Sequence, residues 1–402
     1  MSCRRLEVSM MRTLRVLHIA SGDLWAGAEV QAFTLISHLA RIPDTQVGTV
    51  LMNEGTLAYK LRSSGVPVYI VDEQKLASAC ILVRLCAILR AWRPDVIHTH
   101  REKENILGSL ANRLSRNVPS VRTIHGGRED SGETGWKGAR RRAVHALDRW
   151  CGRVLQQRVI AVTRELGARA TGEFPAEKIV VIENGVDTAA VRAQRGIAEF
   201  RAAAPHVTHI GIVGRLVEVK RIDLFLETAA ALVTHFPQRA WAFHVFGEGP
   251  ERSRLEGLSE RLQISDKVTF HGHRQDIATC MAGLDALVIC SDHEGLPMTA
   301  LEAAALCVPT VAHAVGGLVD VVPREFLVSR HEVDGYWNGI LRVLRADGRV
   351  IAEKHASAIL KQFSAQRNAE RLRALYGQLS AEGSATESDE DLKRNDDLGT
   401  GS

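Results

Sequence analysis

Residues 290–313 read CSDHEGLPMTALEAAALCVPTVAH, and within them Glu294 and Glu302 stand eight apart in otherwise apolar surroundings. Helix-forming residues run from Pro297 to Leu306. Pro297 suits a first helical position, and Pro309 closes the segment before another apolar stretch. Glu294 is therefore expected in a strand-to-helix loop. Glu302 is expected more than a turn inside a helix of Ala and Leu, where a carboxylate needs water, a charged partner or a ligand. Spacing alone leaves an outward-pointing Glu302 and a ligand-binding Glu302 as equals.

Basic groups gather upstream, in GIVGRLVEVKRIDLFLE (211–227). Arg215 and Lys220 flank the exit of an apolar strand, and Arg221 prolongs the patch. A planar guanidinium fork and a mobile ammonium together suit a diphosphate that no metal shields. A solvated cluster beside Glu218 and Asp223 is the competing reading. The helix near Pro297 adds unpaired backbone amides that can hold phosphate oxygens.

Other residues could complete such a site. His125 ends VPSVRTIH and precedes Gly126 and Gly127, a position at a cleft mouth from which it could donate to a hydroxyl or phosphate; a structural histidine is the alternative. His98 and His100, in VIHTH, could be read with His125 as metal ligands, but neither a clear third-ligand spacing nor an acidic partner accompanies them, and no metal is expected. The loop SGDLWAGAEVQ (21–31) carries Gly22 and Gly27 before a helix, without a dinucleotide fingerprint or the lysine and hydroxyl of a P-loop. Gly27 either lets backbone approach a ligand or makes a tight turn. Glu29 belongs in the first helical turn, where a carboxylate is favourable. Gly247 in FGEGPE (246–251) marks another strand exit. His273 in HGHRQDI (271–277) offers a shelf for a base.

The elements that must position these residues alternate regularly. Apolar strand candidates are LRVLHIA (14–20), TQVGTVLM (45–52), VPVYIV (66–71), PDVIHTH (94–100), VPSVRTIH (118–125), RVIAVT (158–163) and EKIVVIENG (177–185). After a polar, Ala-rich helix around 190–203 come THIGIVG (208–214), WAFHVFG (241–247), KVTFHG (267–272), ALVIC (286–290) and TVAHA (310–314). Helical periodicity fills the gaps. That pattern implies two α/β domains, each a parallel sheet covered by helices, with ligands at the carboxyl ends of strands facing a shared cleft. The expected divisions are 12–187 and 188–363. A final helix over 364–379 needs a surface for its apolar side.

Composition bounds the rest. A chain of 402 residues can hold two cores. A net charge of +4, from 51 basic and 47 acidic residues, suits a small polyanion or an anionic membrane surface and excludes nucleic acid as an expected partner. Seven cysteines without a C-x-x-C pair point to reduced thiols in the cytoplasm. Residues 1–11 read as an unstructured leader and 380–402 as a disordered tail. Residues 135–158, GWKGARRRAVHALDRWCGRVLQQR, set Arg140, Arg141 and Arg142 beside Trp136 and Trp150. This stretch could rest on the inner face of an anionic membrane and meet a lipid-linked acceptor, or be a solvated helix packed through Val144, Leu147 and Val154.

Taken in order, these motifs resemble the retaining glycosyltransferase family 4, whose members have the GT-B fold of two Rossmann-like domains facing across a deep cleft. Glu294 and Glu302 match its E-x7-E signature, and Gly295, Leu296 and Pro297 lie within it. V-G-R-L with Lys220 resembles the diphosphate-binding segment, E-N-G-V-D (183–187) the interdomain segment, and G-A-E (27–29) the first glycine loop. The resemblance covers about residues 12–320. It implies transfer of a sugar from a nucleoside diphosphate sugar, UDP- or GDP-linked, to an acceptor hydroxyl with retention, in cell-surface polysaccharide or glycolipid synthesis.

In that scheme Glu302 binds the ribose hydroxyls, Glu294 faces the transferred sugar, Arg215 and Lys220 neutralise the departing diphosphate, and His125 contacts the sugar from the opposite domain. Gly27 lets the first loop reach the phosphates. No resident cofactor or metal is implied, and no D-x-D stands at a strand end. Two features depart from the family pattern. Ala26 stands where a second glycine is common, and VVPREFLVSRHEVDGYWNG (321–339) replaces a glycine-containing stretch. A phosphorylase and a nucleotide-sugar epimerase are rival functions that product analysis separates from transfer; a non-catalytic nucleotide-sugar binding protein or scaffold is the third, and it should carry a damaged Arg, Lys or Glu set, whereas here that set is complete.

Overall fold

The computed structural model describes residues 12–22, 25–126 and 135–398. The leader expected over 1–11, and Gly127, lie outside the described residues. Long apolar runs become central parallel strands because helices cover both faces of each sheet, so no solvent face imposes alternation. The first sheet holds β1 (Leu14–Ala20), β2 (Thr45–Leu51), β3 (Val68–Ile70), β4 (Val96–Thr99), β5 (Ser120–Ile124), β6 (Arg158–Ala161) and β7 (Ile179–Val181), in spatial order 3-2-1-4-5-6-7. The second holds β8 (Thr208–Val213), β9 (Trp241–Phe246), β10 (Val268–Gly272), β11 (Ala286–Ile289), β12 (Thr310–His313) and β13 (Leu327–Val328), in order 10-9-8-11-12-13. Every pairing is parallel.

The strand order reverses between β1 and β4 in one sheet and between β8 and β11 in the other. Neighbouring crossovers leave in opposite directions at those points, and the gap between them is where ligands bind in open α/β sheets. The glycine loop follows β1, Arg215 follows β8, and Glu294 follows β11.

Each domain has its own core. In the second, Phe225, Phe243, Leu287, Val288, Leu301 and Val311 are fully enclosed around the sheet. In the first, Leu35 and Ile36 cover one face together with Leu372, Leu375, Tyr376 and Leu379 of the final helix, while Leu85, Leu89 and Trp92 cover the other. The final helix thus buries its apolar side on the first domain. It runs Ala365–Leu398, past the expected end at 379. The chain crosses between domains twice, side by side: Val186 N–H donates to Phe363 O (2.9 Å) and Ala365 N–H to Val186 O (3.1 Å). Gly185 is needed there, since a Cβ would lie 2.5 Å from Ser364 O.

Three expectations need correction. The helix expected over 190–203 is two short ones, Thr188–Ala193 and Glu199–Ala203, with Gly196 in the gap, where helix propensity is poor. Pro297 is not the first helical residue; it stands extended before Met298–Ala305, with φ −71° and ψ 127°. The two-residue β13 was not foreseen.

The strand exits of the second sheet interlock through glycines. Gly247 adopts φ +134°, and a Cβ there would meet Gly214 O at 1.9 Å. Gly247→Ala must therefore push the loop after β9 away from the loop after β8. It is expected to cost at least about 1–3 kcal/mol in urea unfolding; an unchanged midpoint would show that the loops yield freely.

Candidate active site

The loop between β11 and the helix Met298–Ala305 is held from both domains. A Cβ on Gly295 would lie 2.0 Å from His125 O, so the two backbones touch across the cleft. Leu296 O accepts from Asn184 Nδ2 (3.1 Å), and Gly295 O accepts from Gly317 N–H (2.7 Å). Gly316, at φ +53°, clears Glu294 O, which a Cβ would approach to 2.0 Å. At the far end of the helix Arg192 Nε donates to Ala305 O (2.8 Å).

Within this frame Glu294 is almost shut from solvent. Its Oε1 accepts from Lys220 Nζ at 2.5 Å and from Ser291 Oγ at 2.6 Å. Lys220, Ser291 and Glu294 line one small recess between β8 and β11. Lys220 comes from the short 3₁₀ turn Glu218–Lys220, which ends because Arg221 turns left-handed at φ +48°. Arg221 is then held by Asp223 and Asp292 (3.2 and 3.3 Å). Arg215 is exposed, and among the described residues it has no side-chain partner. The basic cluster is therefore divided: Arg221 is the paired member, Lys220 is anchored to Glu294, and Arg215 is open to a ligand.

Glu302 is half-buried in its helix, and among the described residues its carboxylate meets no hydrogen-bond donor or cation. Burial alone pushes it up to about 7. A carboxylate desolvated without a partner is costly, and a ligand that donates hydrogen bonds would relieve that cost.

On the facing domain His125 lines a cavity of about 380 Å³ with Ala28, Arg101 and Asp148. Its Nε2 lies 3.3 Å from His100 Nδ1, and its Nδ1 is buried without a partner. Burial lowers its pKa to about 4, so the ring is neutral. Gly27 opens the helix Gly27–Leu39, and a Cβ there would meet nothing within 4 Å; no protein backbone approaches it, and the space is open. Glu29 lies in the first turn as expected. It is buried, bonded to Arg101, and its Oε2 accepts from Ala26 N–H (3.3 Å). Arg122 and Asp148, which sequence reasoning did not single out, form an enclosed ion pair at 2.8 Å that ties β5 to the helix Gly135–Trp150.

His273 stands apart, exposed after β10 at the sheet edge, whereas Gly247 lies beside the Arg215 loop. Among the described residues one histidine group, His18, His98 and His100, is close enough to hold a metal. It differs from the His98, His100 and His125 set, which the sequence reading raises and sets aside for lack of a third-ligand spacing and an acidic partner. Both nitrogens of His98 already have partners, Tyr376 Oη (2.5 Å) and Thr123 Oγ1 (2.7 Å). A metal would have to displace one of them.

Comparison with known proteins fits this geometry. Residues 207–346 match the family model described as Glycosyl transferases group 1, and residues 25–190 match Glycosyltransferase Family 4. The chain is 23% identical over 87% of its length to a UDP-Gal:alpha-D-GlcNAc-diphosphoundecaprenol alpha-1,3-galactosyltransferase of Escherichia coli, 96% of which is covered. It is 27% identical to a 2-deoxystreptamine N-acetyl-D-glucosaminyltransferase of Streptomyces fradiae, over 70% of this chain and 69% of that protein. Anabaena HepE in complex with UDP-glucose superimposes with a TM-score of 0.78 at 19% identity, over 91% of this chain and all of HepE.

Proposed function

Since this chain belongs to the group 1 and family 4 glycosyltransferases and has their GT-B fold, we propose that it moves a sugar, with retention, from a UDP- or GDP-sugar to an acceptor hydroxyl in cell-surface polysaccharide or glycolipid synthesis. The observation that carries the reading is the pairing of Lys220 with Glu294 beside an unpartnered Glu302, all at the β8/β11 switch point.

Glu302 accepts the ribose hydroxyls. The diphosphate lies over the first amides of the helix Met298–Ala305, where the chain has no intrahelical acceptors for its N–H groups. Arg215 and Lys220 meet the negative charge that develops as the glycosidic bond breaks, and Glu294 holds the ammonium in place while facing the oxocarbenium-like sugar. His125 donates to the sugar from the opposite domain. The acceptor attacks from the leaving-group face, its proton passing to a β-phosphate oxygen; the two-carboxylate scheme of retaining hydrolases is not used. Gly27, Gly247 and Gly295 keep the surrounding loops low. His273, apart from these groups at the edge strand β10, offers a shelf only to the far, base end of the nucleotide.

The test is incubation with UDP-, GDP-, ADP- and dTDP-sugars, with and without EDTA, followed by NMR of the anomeric proton in the product. One donor turned over with retained configuration supports the reading. Inversion, or failure to bind any donor, refutes it.

The acceptor side fits a lipid-linked substrate. Among the described residues no helix is long and apolar enough to cross a membrane. However, Val144, Leu147 and Val154, which the packed alternative needs inside, are exposed along with Trp136 (83%) and Trp150. They lie on one side of the segment 135–155, with Arg140, Arg141 and Arg142 in the same helix. An apolar stripe beside basic residues suits an anionic membrane surface. Changing Arg140, Arg141 and Arg142 to Gln is expected to weaken flotation with anionic vesicles roughly 100-fold, at about 1 kcal/mol per charge. Unchanged flotation would remove the membrane from the account.

A further inference from the structure

Beneath His125 lies a file of imidazoles. His18 Nδ1 is 3.0 Å from His100 Nε2, and His100 Nδ1 is 3.3 Å from His125 Nε2. Successive ring planes differ by only 21° and 19°. His18 comes from β1, His100 from the end of β4 and His125 from the end of β5, three adjacent strands whose parallel register brings their carboxyl ends together.

All three rings are neutral. Burial lowers His18 to about 3 and His125 to about 4, and it holds His100 well below the ordinary histidine value. Each neutral ring carries one N–H. Two of these N–H groups are used within the file, so one end must present an N–H and the other a lone pair. The two ends are His18 Nε2 and His125 Nδ1, and both are buried without partners. His18 is wholly enclosed, with no acceptor at Nε2, whereas His125 is only partly buried and lines the cavity of about 380 Å³, where an acceptor can reach it. A buried N–H without an acceptor is the costlier orphan, so the bare lone pair belongs at the His18 end.

We propose that His100, backed by His18, is a positioning residue that fixes His125 as the Nδ1–H tautomer, making it a neutral hydrogen-bond donor toward the transferred sugar. His18 Nδ1–H donates to His100 Nε2, and His100 Nδ1–H donates to His125 Nε2. His125 therefore offers no basic nitrogen to the substrate: it grips a hydroxyl or phosphate oxygen and takes no proton from the acceptor. The identity of the ligand rests on the glycosyltransferase reading, but the tautomer does not.

The experiment is a long-range proton–nitrogen correlation on the full chain carrying ¹⁵N-labelled histidine, in EDTA at neutral pH and without substrate, with His125 assigned by the loss of its signals in His125→Asn. The expected spectrum shows His125 protonated on Nδ1. His100→Asn, whose amide can still donate to His125 Nε2, keeps that signature. His100→Leu loses it, and kcat falls about tenfold, the worth of one hydrogen bond, with KM for the donor little changed. Thermal melting of both variants checks that they fold, and the Asn variant carries the test if the Leu variant does not. His125 protonated on Nε2 in the native protein would overturn the proposal. So would a cationic His125, or shifts of His18 and His100 that depend on added zinc. If no nucleotide sugar is turned over, the spectrum still decides the tautomer.

Discussion

Lys220→Ala is expected to lower turnover of the accepted donor by about 100- to 1000-fold, the usual scale for losing one preorganised group aimed at developing charge. The ammonium is held 2.5 Å from Glu294 Oε1, so it is positioned before the diphosphate departs and needs no reorganisation during the reaction. The loss should appear in kcat and kcat/KM together, because the interaction strengthens as charge develops. Lys220→Arg should rescue little, since a bulkier planar guanidinium does not fit the small recess that the ammonium shares with Ser291 and Glu294. Glu294→Ala and Lys220→Ala combined should cost much less than the sum of the two, as residues acting as a unit do. A Lys220→Ala enzyme within tenfold of the native rate would remove Lys220 from the mechanism.

Glu302 gives the second large effect, through pH. Its carboxyl is raised from 4.5 to about 7 by burial. Hydroxyls that donate to it favour the ionised form, so donor affinity should rise with pH up to about 7 and level off above, changing by up to about tenfold per pH unit below. Glu302→Gln should flatten this profile and raise the donor dissociation constant about 10- to 100-fold at pH 8, the scale of hydrogen bonds to a charged group. Stability moves in the opposite sense. A carboxyl whose folded pKa is raised binds its proton more tightly in the native state, so between 4.5 and about 7 stability falls as pH rises. The Gln variant should consequently melt higher than the native protein at pH 8. Calorimetry of both proteins at pH 5 and pH 8 checks this. A pH-independent donor affinity in the native enzyme would show that Glu302 does not touch the ribose.

Much of this is legible in the sequence. Doubly covered parallel strands read as unbroken apolar runs, so LRVLHIA and ALVIC announce themselves, and the residues at their ends follow. β13 escaped because a two-residue strand has no periodicity. Contacts between distant segments were not legible: Lys220 and Glu294 are 74 residues apart, and nothing local says that the ammonium goes to the carboxylate and leaves Arg215 alone. The histidine file was half-visible. The alternation in VIHTH showed, but its partner His18 lies on β1, and only the β1–β4 pairing, with His18 opposite His98, brings it alongside. Arg122 was not singled out, because its enclosure with Asp148 depends on how the helix Gly135–Trp150 folds back onto β5.

The paired crossings at Val186 and Ser364 fix the mechanics of the molecule. Two chain passages bonded to each other at one spot act as a single pin rather than as two separated struts, so any turn of one domain on the other centres there. The pin also sits close to the site: Asn184, two residues before Val186, holds Leu296 O (3.1 Å) beside the Gly295–His125 touch point, so a turn about Val186 acts on the β11 loop through a single hydrogen bond.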